Sequence, residues 1–256
     1  MDHYQELREK GFTILPNYFD KGFVQRLIID LDNWLDYAQK IRETNGVSEA
    51  MSGVAHQILG KDDTMAELIC QLPCDALLKK YFDGPYILNS FSGIKNETAG
   101  NVKYDHAHQF HRDVRTYSSH LTLMINVIIM LEDFTISNGA TRVLPYSHKN
   151  QDKPSDFHLE KNSQYLLGKA GSLVLFDSNL WHSASPNKDG SPRRALTLNY
   201  TRPFIKPQMN FCNLVGENFS TDPKVLEVIG FKSRVPNDHY DWYQPASKRF
   251  YHSDQG

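Results

Sequence analysis

The chain is short of cysteine, of long apolar runs and of any charge excess, and each shortage removes a class of protein. Three cysteines, Cys70, Cys74 and Cys212, are too few and too odd in number for a disulfide framework. Cys70 and Cys74 have a spacing that some zinc sites use, but the intervening Gln71-Leu72-Pro73 and the apolar flanks fit core packing better. The longest apolar run, Leu121 to Leu131, is too short to cross a bilayer and carries Thr122 and Asn126. Met1 to Arg8 lacks the apolar stretch of a secretory signal, so a cytoplasmic location is expected. Lys and Arg number 28 against 30 Asp and Glu, which argues against a nucleic-acid or membrane surface as partner. No internal repeat and no low-complexity linker interrupts the chain.

What is there is an ordinary globular composition over 256 residues, enough for one domain with a well-buried core. A polar helix from Tyr4 to Lys10 should stop at Gly11, followed by a strand from Phe12 to Leu15. Asp20 is placed to cap a long helix from Lys21 to Arg42. Its apolar residues Phe23, Leu27, Leu31, Trp34, Leu35, Ala38 and Ile41 recur every three or four positions, one stripe facing a core. Thr44 to Ser52 reads as a loop, and Met65 to Tyr81 as helix interrupted near Pro73.

From Pro85 the texture changes to short strands between Gly, Pro, Asn and Asp turns. They are Tyr86 to Ile94, Leu121 to Leu131, Ala140 to Leu144, Ser172 to Phe176 and Leu196 to Tyr200. A helical run follows at Lys224 to Ile229. The expectation is a single domain, mainly β with helices (α+β). It comprises a helical part over about 1–84, a β core over about 85–203 and an extension over 204–256.

One stretch concentrates the chemistry. His106 to Asp113, HAHQFHRD, holds three histidines and an aspartate. It can be a polar loop whose histidines bind nothing, a zinc hydrolase site built from His106, His108 and His111, or a metal-binding barrel without turnover. It can also supply His111 and Asp113 to a two-histidine, one-carboxylate iron site. Residues two apart on a strand share a face, so His111 and Asp113 can reach one ion together.

The surroundings of a distant histidine favour the iron reading. Ala170 to Asp177 is a turn and a buried strand, after which Leu180-Trp181-His182-Ser183 places a histidine where the sheet emerges. Eleven residues on, Arg193 begins the next strand. A buried guanidinium calls for a planar anion, which a carboxylate matches in two-point contact. A metal with three open positions beside such an arginine suits 2-oxoglutarate, a keto acid with a second carboxylate at its far end.

At this point the sequence resembles the phytanoyl-CoA dioxygenase family of iron- and 2-oxoglutarate-dependent oxygenases. The matching pieces are His108 to Asp113 (HQFHRD), Leu131-Glu132-Asp133, Asn138 to His148 (NGATRVLPYSH), Gly171 to Phe176 (GSLVLF), Trp181-His182, Pro186-Asn187 and Arg193 to Leu196 (RRAL). They cover roughly Tyr86 to Pro203. The family usually has Pro-Gly-Ser-His where this chain has Pro145-Tyr146-Ser147-His148, a departure expected to leave the metal unaffected.

The resemblance implies a double-stranded β-helix (jelly roll) with helices buttressing one sheet. It implies His111, Asp113 and His182 as Fe(II) ligands. It places Arg193, rather than Arg194, on the far carboxylate of 2-oxoglutarate, with dioxygen as the other co-substrate. Asn126 and Asn89 lie at positions that often line the cofactor site; each can equally be a satisfied buried amide. The implied reaction hydroxylates an unactivated C–H bond of a small molecule and releases succinate and CO2. Related halogenases have a small residue where Asp113 stands, so the carboxylate argues for hydroxylation.

The loops Thr44 to Asp62 and Lys95 to Gln109, with the tail beyond Pro203, should set specificity. Lys103, Arg112, Arg115 and Arg142 lie near the metal motif in sequence. They form either a solvated rim or a surface for an anionic substrate such as a phosphate, a carboxylate or a coenzyme A ester.

Overall fold

The computed structural model describes residues 1–47, 53–97 and 108–249. Helix α1 (His3–Lys10) is closed at its start by a capping box from Asp2 and Gln5. It ends on Gly11 at φ 86°, where any larger residue would also strike His148 and Leu180. Strand β1 (Phe12–Leu15) follows, then α2 (Lys21–Thr44), capped by Asp20 Oδ1 on the Phe23 N–H at 2.9 Å. The buried stripe of α2 runs from Phe23 to Leu35; Trp34 and Ala38 are partly buried, and Ile41 is 44% exposed. Periodicity locates the inward face but not where the sheet beneath it ends.

Next come β2 (Val54–His56), α3 (Thr64–Cys70) and α4 (Asp75–Phe82). The break anticipated at Pro73 separates α3 from α4, with Leu72 and Cys74 at φ 47° and 62°. Burial pushes the Cys74 thiol up to about 12, the environment of a core-packed residue, while Cys70 is exposed.

The strands β3 (Ile87–Asn96), β4 (Met124–Met130), β7 (Leu173–Asp177) and β9 (Arg193–Thr201) join β1 and β2 in an antiparallel sheet of order β1-β7-β4-β9-β3-β2. Strand β4 starts at Met124 rather than Leu121. Leu121 to Leu123 lies outside any strand; its carbonyls at Thr122 and Leu123 accept from Arg202 instead, which hydrophobicity alone cannot reveal. Both outer strands of this sheet, β1 and β2, come from the helical first third, which therefore completes the sheet rather than standing apart from it. A second sheet, β6-β5-β8, is made of three two-residue strands: β5 (Arg142–Val143), β6 (Gln164–Tyr165) and β8 (His182–Ser183). Helix α5 (Asp156–Asn162) lies between β5 and β6 in sequence.

Strand alternation sorts the large sheet into two apolar surfaces. Ile125, Val127, Ile129, Leu173, Leu175, Leu196 and Leu198 pack with α1 to α4 and with the C-terminal helices α6 (Phe211–Val215) and α7 (Pro223–Ile229). The opposite face presents Ile128, Met130, Val174, Phe176 and Ala195, which pack with Phe134, Val143 and Leu180 toward the small sheet. Two facing antiparallel sheets with helices against one of them are the jelly roll with buttressing helices. A short α8 (His239–Trp242) and a 3-10 turn (Ala246–Lys248) end the described tail, and no helix among the described residues is long and apolar enough to cross a membrane.

Candidate metal centre

His111 and His182 are joined through their backbones. The His111 N–H donates to the His182 carbonyl at 2.9 Å, and the His182 N–H to the His111 carbonyl at 3.0 Å. This paired geometry brings two residues far apart in sequence side by side, with ring centroids 4.4 Å apart. Each ring donates its Nδ1–H to a carbonyl two residues back, Gln109 for His111 and Leu180 for His182, both at 2.9 Å. Those bonds fix the tautomer and leave both Nε2 lone pairs turned to the cavity, as metal ligation requires.

Asp113 stands between them. Its Oδ1 is 3.5 Å from His111 Nε2, and its Oδ2 is 3.5 Å from His182 Nε2. Metal–donor distances of about 2.1 Å put neighbouring donors roughly 3 Å apart, so these spacings suit one shared ion. His111, Asp113 and His182 form the donor cluster found among the described residues, with ligand atoms all within 4.8 Å of one another. Burial raises the Asp113 carboxyl, but the neighbouring His182, His111 and Asn126 outweigh it and hold it below the usual carboxylate range. Burial lowers His182, while the bond to Asp113 raises His111.

The Asn126 amide donates to Asp113 Oδ2 at 2.6 Å and to Ser178 Oγ at 3.3 Å. Asn126 is thus a support for the carboxylate, and it lines the cavity. Asn89 lies elsewhere. A bulge between Leu88 and Ser90 interrupts the pairing with β9, and the Asn89 amide is spent on Thr201 Oγ1 (3.3 Å) and the Lys206 carbonyl (3.2 Å). It does not line the cavity; its surroundings are those of a satisfied buried amide.

The two adjacent arginines divide by strand alternation. Arg194 faces the helices, bonding Asp32 Oδ1 at 2.9 Å and Glu132 Oε1 at 2.8 Å. Arg193 turns into the cavity, 6% exposed, with its guanidinium 4.2 Å above the Phe134 ring. Its buried Nε has no hydrogen-bond partner, and burial pushes its pKa down to about 10. A buried cation that still carries free donors calls for an anion.

These groups share one cavity of about 360 Å3 between the sheets. Thr197 and Asn199 line it as well. Both lie on Arg193's face of β9, so period two points to them once that face is known. Thr141, just before β5 and inside the matched NGATRVLPYSH run, completes the wall with His56 and Lys95 from the β2–β3 edge, both within the stretches expected to set specificity. His108 lines the cavity without joining the donor cluster; His106 and Lys103 lie outside the described residues. Arg112 is held by the carbonyls of Ser147, Asn150 and Gln151 and stacks on Tyr117 and Trp181. Arg142 is paired with Glu160, and Arg115 is exposed.

A jelly roll holding two imidazoles, one carboxylate and a buried unpartnered guanidinium fits the class of non-haem iron oxygenases that use a keto-acid co-substrate. The chain belongs to the phytanoyl-CoA dioxygenase (PhyH) family, whose model matches residues 7–195. The matched region is an Fe(II)/2-oxoglutarate-dependent dioxygenase domain, with Fe(II), 2-oxoglutarate and O2 as its cofactor and co-substrates.

An uncharacterized protein of Mycobacterium tuberculosis is 34% identical over 57% of this chain and 55% of its own length, so the chain spans about half of that relative. The dioxygenase olcK of Penicillium canescens is 28% identical over 92% of this chain and 82% of its own. Among solved structures, EctD from S. alaskensis, determined with 2-oxoglutarate and 5-hydroxyectoine, shares the fold with a TM-score of 0.63. It is 18% identical, over 78% of this chain and 74% of that one.

Proposed function

We propose that the protein hydroxylates an unactivated C–H bond of a small molecule, with His111, Asp113 and His182 holding Fe(II) and Arg193 binding the far carboxylate of 2-oxoglutarate. The observation that carries this reading is the meeting of three metal donors and one unpartnered buried guanidinium in a single cavity. Iron and 2-oxoglutarate, when bound, would activate O2, which is the oxidant: one oxygen atom goes to the substrate hydroxyl and the other to succinate, with CO2 released from 2-oxoglutarate.

The protein's own part is position and exclusion of water. The Gln109 and Leu180 carbonyls orient the imidazoles, and Asn126 steadies Asp113. Phe176, Ile128 and Ala195 keep the wall beside the metal apolar. Asp113 occupies the position that a halogenase leaves free, which supports hydroxylation.

The test is succinate release from 2-oxoglutarate by purified protein with Fe(II). Asp113→Ala is expected to abolish it and to weaken metal binding. Arg193→Ala is expected to raise the 2-oxoglutarate concentration needed by about 100-fold or more, the cost of leaving a buried charge pair half made. Unchanged turnover in Asp113→Ala would refute the reading.

A further inference from the structure

We propose that the substrate is an uncharged, mainly apolar molecule too large for the metal cavity, whose distal body lies in a second groove and whose oxygen meets His108 at the junction. This rests on the hydroxylase reading above. The groove, of about 740 Å3, adjoins the metal cavity, and both are lined by His108 and Ala184. Its wall includes Phe134, Ile136, Leu167 and Pro186. Ile136 and Leu167 are left 58% and 44% exposed in the same groove, an apolar surface continuous with the reaction site. Phe134 is the partition, since its ring carries the Arg193 guanidinium and also lines the groove.

Charge accounting decides the substrate's character. Arg193 is reserved for the co-substrate. Arg142, on the groove wall, is bonded to Glu160 at 2.8 Å and to Ser163 at 2.7 Å. Lys95, at the cavity, faces Glu97 at 3.7 Å. Lys188 also lines the groove but is exposed, where a lysine is well hydrated. A substrate anion would therefore lose water without meeting a buried cation among the described residues. The junction does offer an uncommitted polar atom, His108 Nδ1, which is buried without a partner, as is Ser185 Oγ in the groove beside it. A hydroxyl or carbonyl oxygen satisfies His108 at no cost in charge.

The experiment is anaerobic calorimetry on protein loaded with Mn(II) and 2-oxoglutarate. The probes are cyclohexanol, a bicyclic decalol and a tetracyclic steroid alcohol, each beside the matching carboxylic acid. Affinity is expected to rise with size among the alcohols, with every acid weaker by about tenfold or more. Ile136→Asp and Leu167→Asp, both at exposed positions away from the metal, should weaken the tetracyclic alcohol about tenfold and leave cyclohexanol within about twofold. His108→Leu should cost the alcohols about tenfold.

Tighter binding of the acids, no binding by any alcohol, or a tetracyclic alcohol indifferent to both aspartates would each overturn the proposal while leaving the hydroxylase reading intact. Failure of 2-oxoglutarate itself to bind would instead remove the parent reading, and this one with it.

Discussion

At Tyr146 the backbone adopts a conformation that favours a residue with no side chain. Its φ is 67°, and its ring is 55% exposed. The left-handed region costs an ordinary residue about 1–2 kcal/mol, partly offset by the roughly 0.5–1 kcal/mol that glycine loses in chain entropy. Tyr146→Gly, which restores the residue usual in the family, should raise stability by about 1 kcal/mol in thermal melts. A lower melting temperature would mean that the ring contributes packing that its exposure does not suggest. The two asparagines make a second contrast. Asn126→Ala should weaken metal binding about 10- to 100-fold in a calorimetric titration, because it frees the Asp113 carboxylate. Asn89→Ala should leave metal affinity unchanged, since Thr201 and Lys206 already occupy its amide.

Among elements, α2 packs closely on β3 at Gly93. A Cβ on Gly93 would overlap Leu31 and approach Ile58 Cδ1 at 3.0 Å, so the helix rests directly on backbone. Gly93→Val should cost about 2–3 kcal/mol, read from the denaturation midpoint, through overpacking. The same elements show what the sequence makes legible. The divergence of Arg193 and Arg194 follows from strand alternation. His111 and Asp113 do meet, but not on the strand expected for them: His111 makes a single bridge and Asp113 lies in the bend after it. The α2 stripe and its Asp20 cap follow equally from local rules. The position of Asn89 does not, because the bulge between Leu88 and Ser90 breaks period two and leaves no local mark. Nor is the backbone pairing of His111 with His182 legible, since it depends on a contact across 71 residues of chain that only the folded sheets bring about. Thr141, His56 and Lys95 reach the cavity through such long-range placement as well.

For the whole molecule, the large sheet separates two functions. One face binds the helices in a dry core, and the other, with the small sheet, encloses the metal cavity. Stability and chemistry therefore respond to different substitutions. Changes at Gly93 should alter melting more than metal affinity, and changes at Asn126 the reverse. The central claim, that His111, Asp113, His182 and Arg193 form one site for Fe(II) with 2-oxoglutarate, is tested most directly without oxygen and without substrate. Anaerobic addition of Fe(II) and 2-oxoglutarate should give the weak visible charge-transfer band of a chelated keto acid. The band should be lost in Asp113→Ala and should need far more 2-oxoglutarate in Arg193→Ala. No band in the unaltered protein, or a band that both variants retain unchanged, would contradict the account.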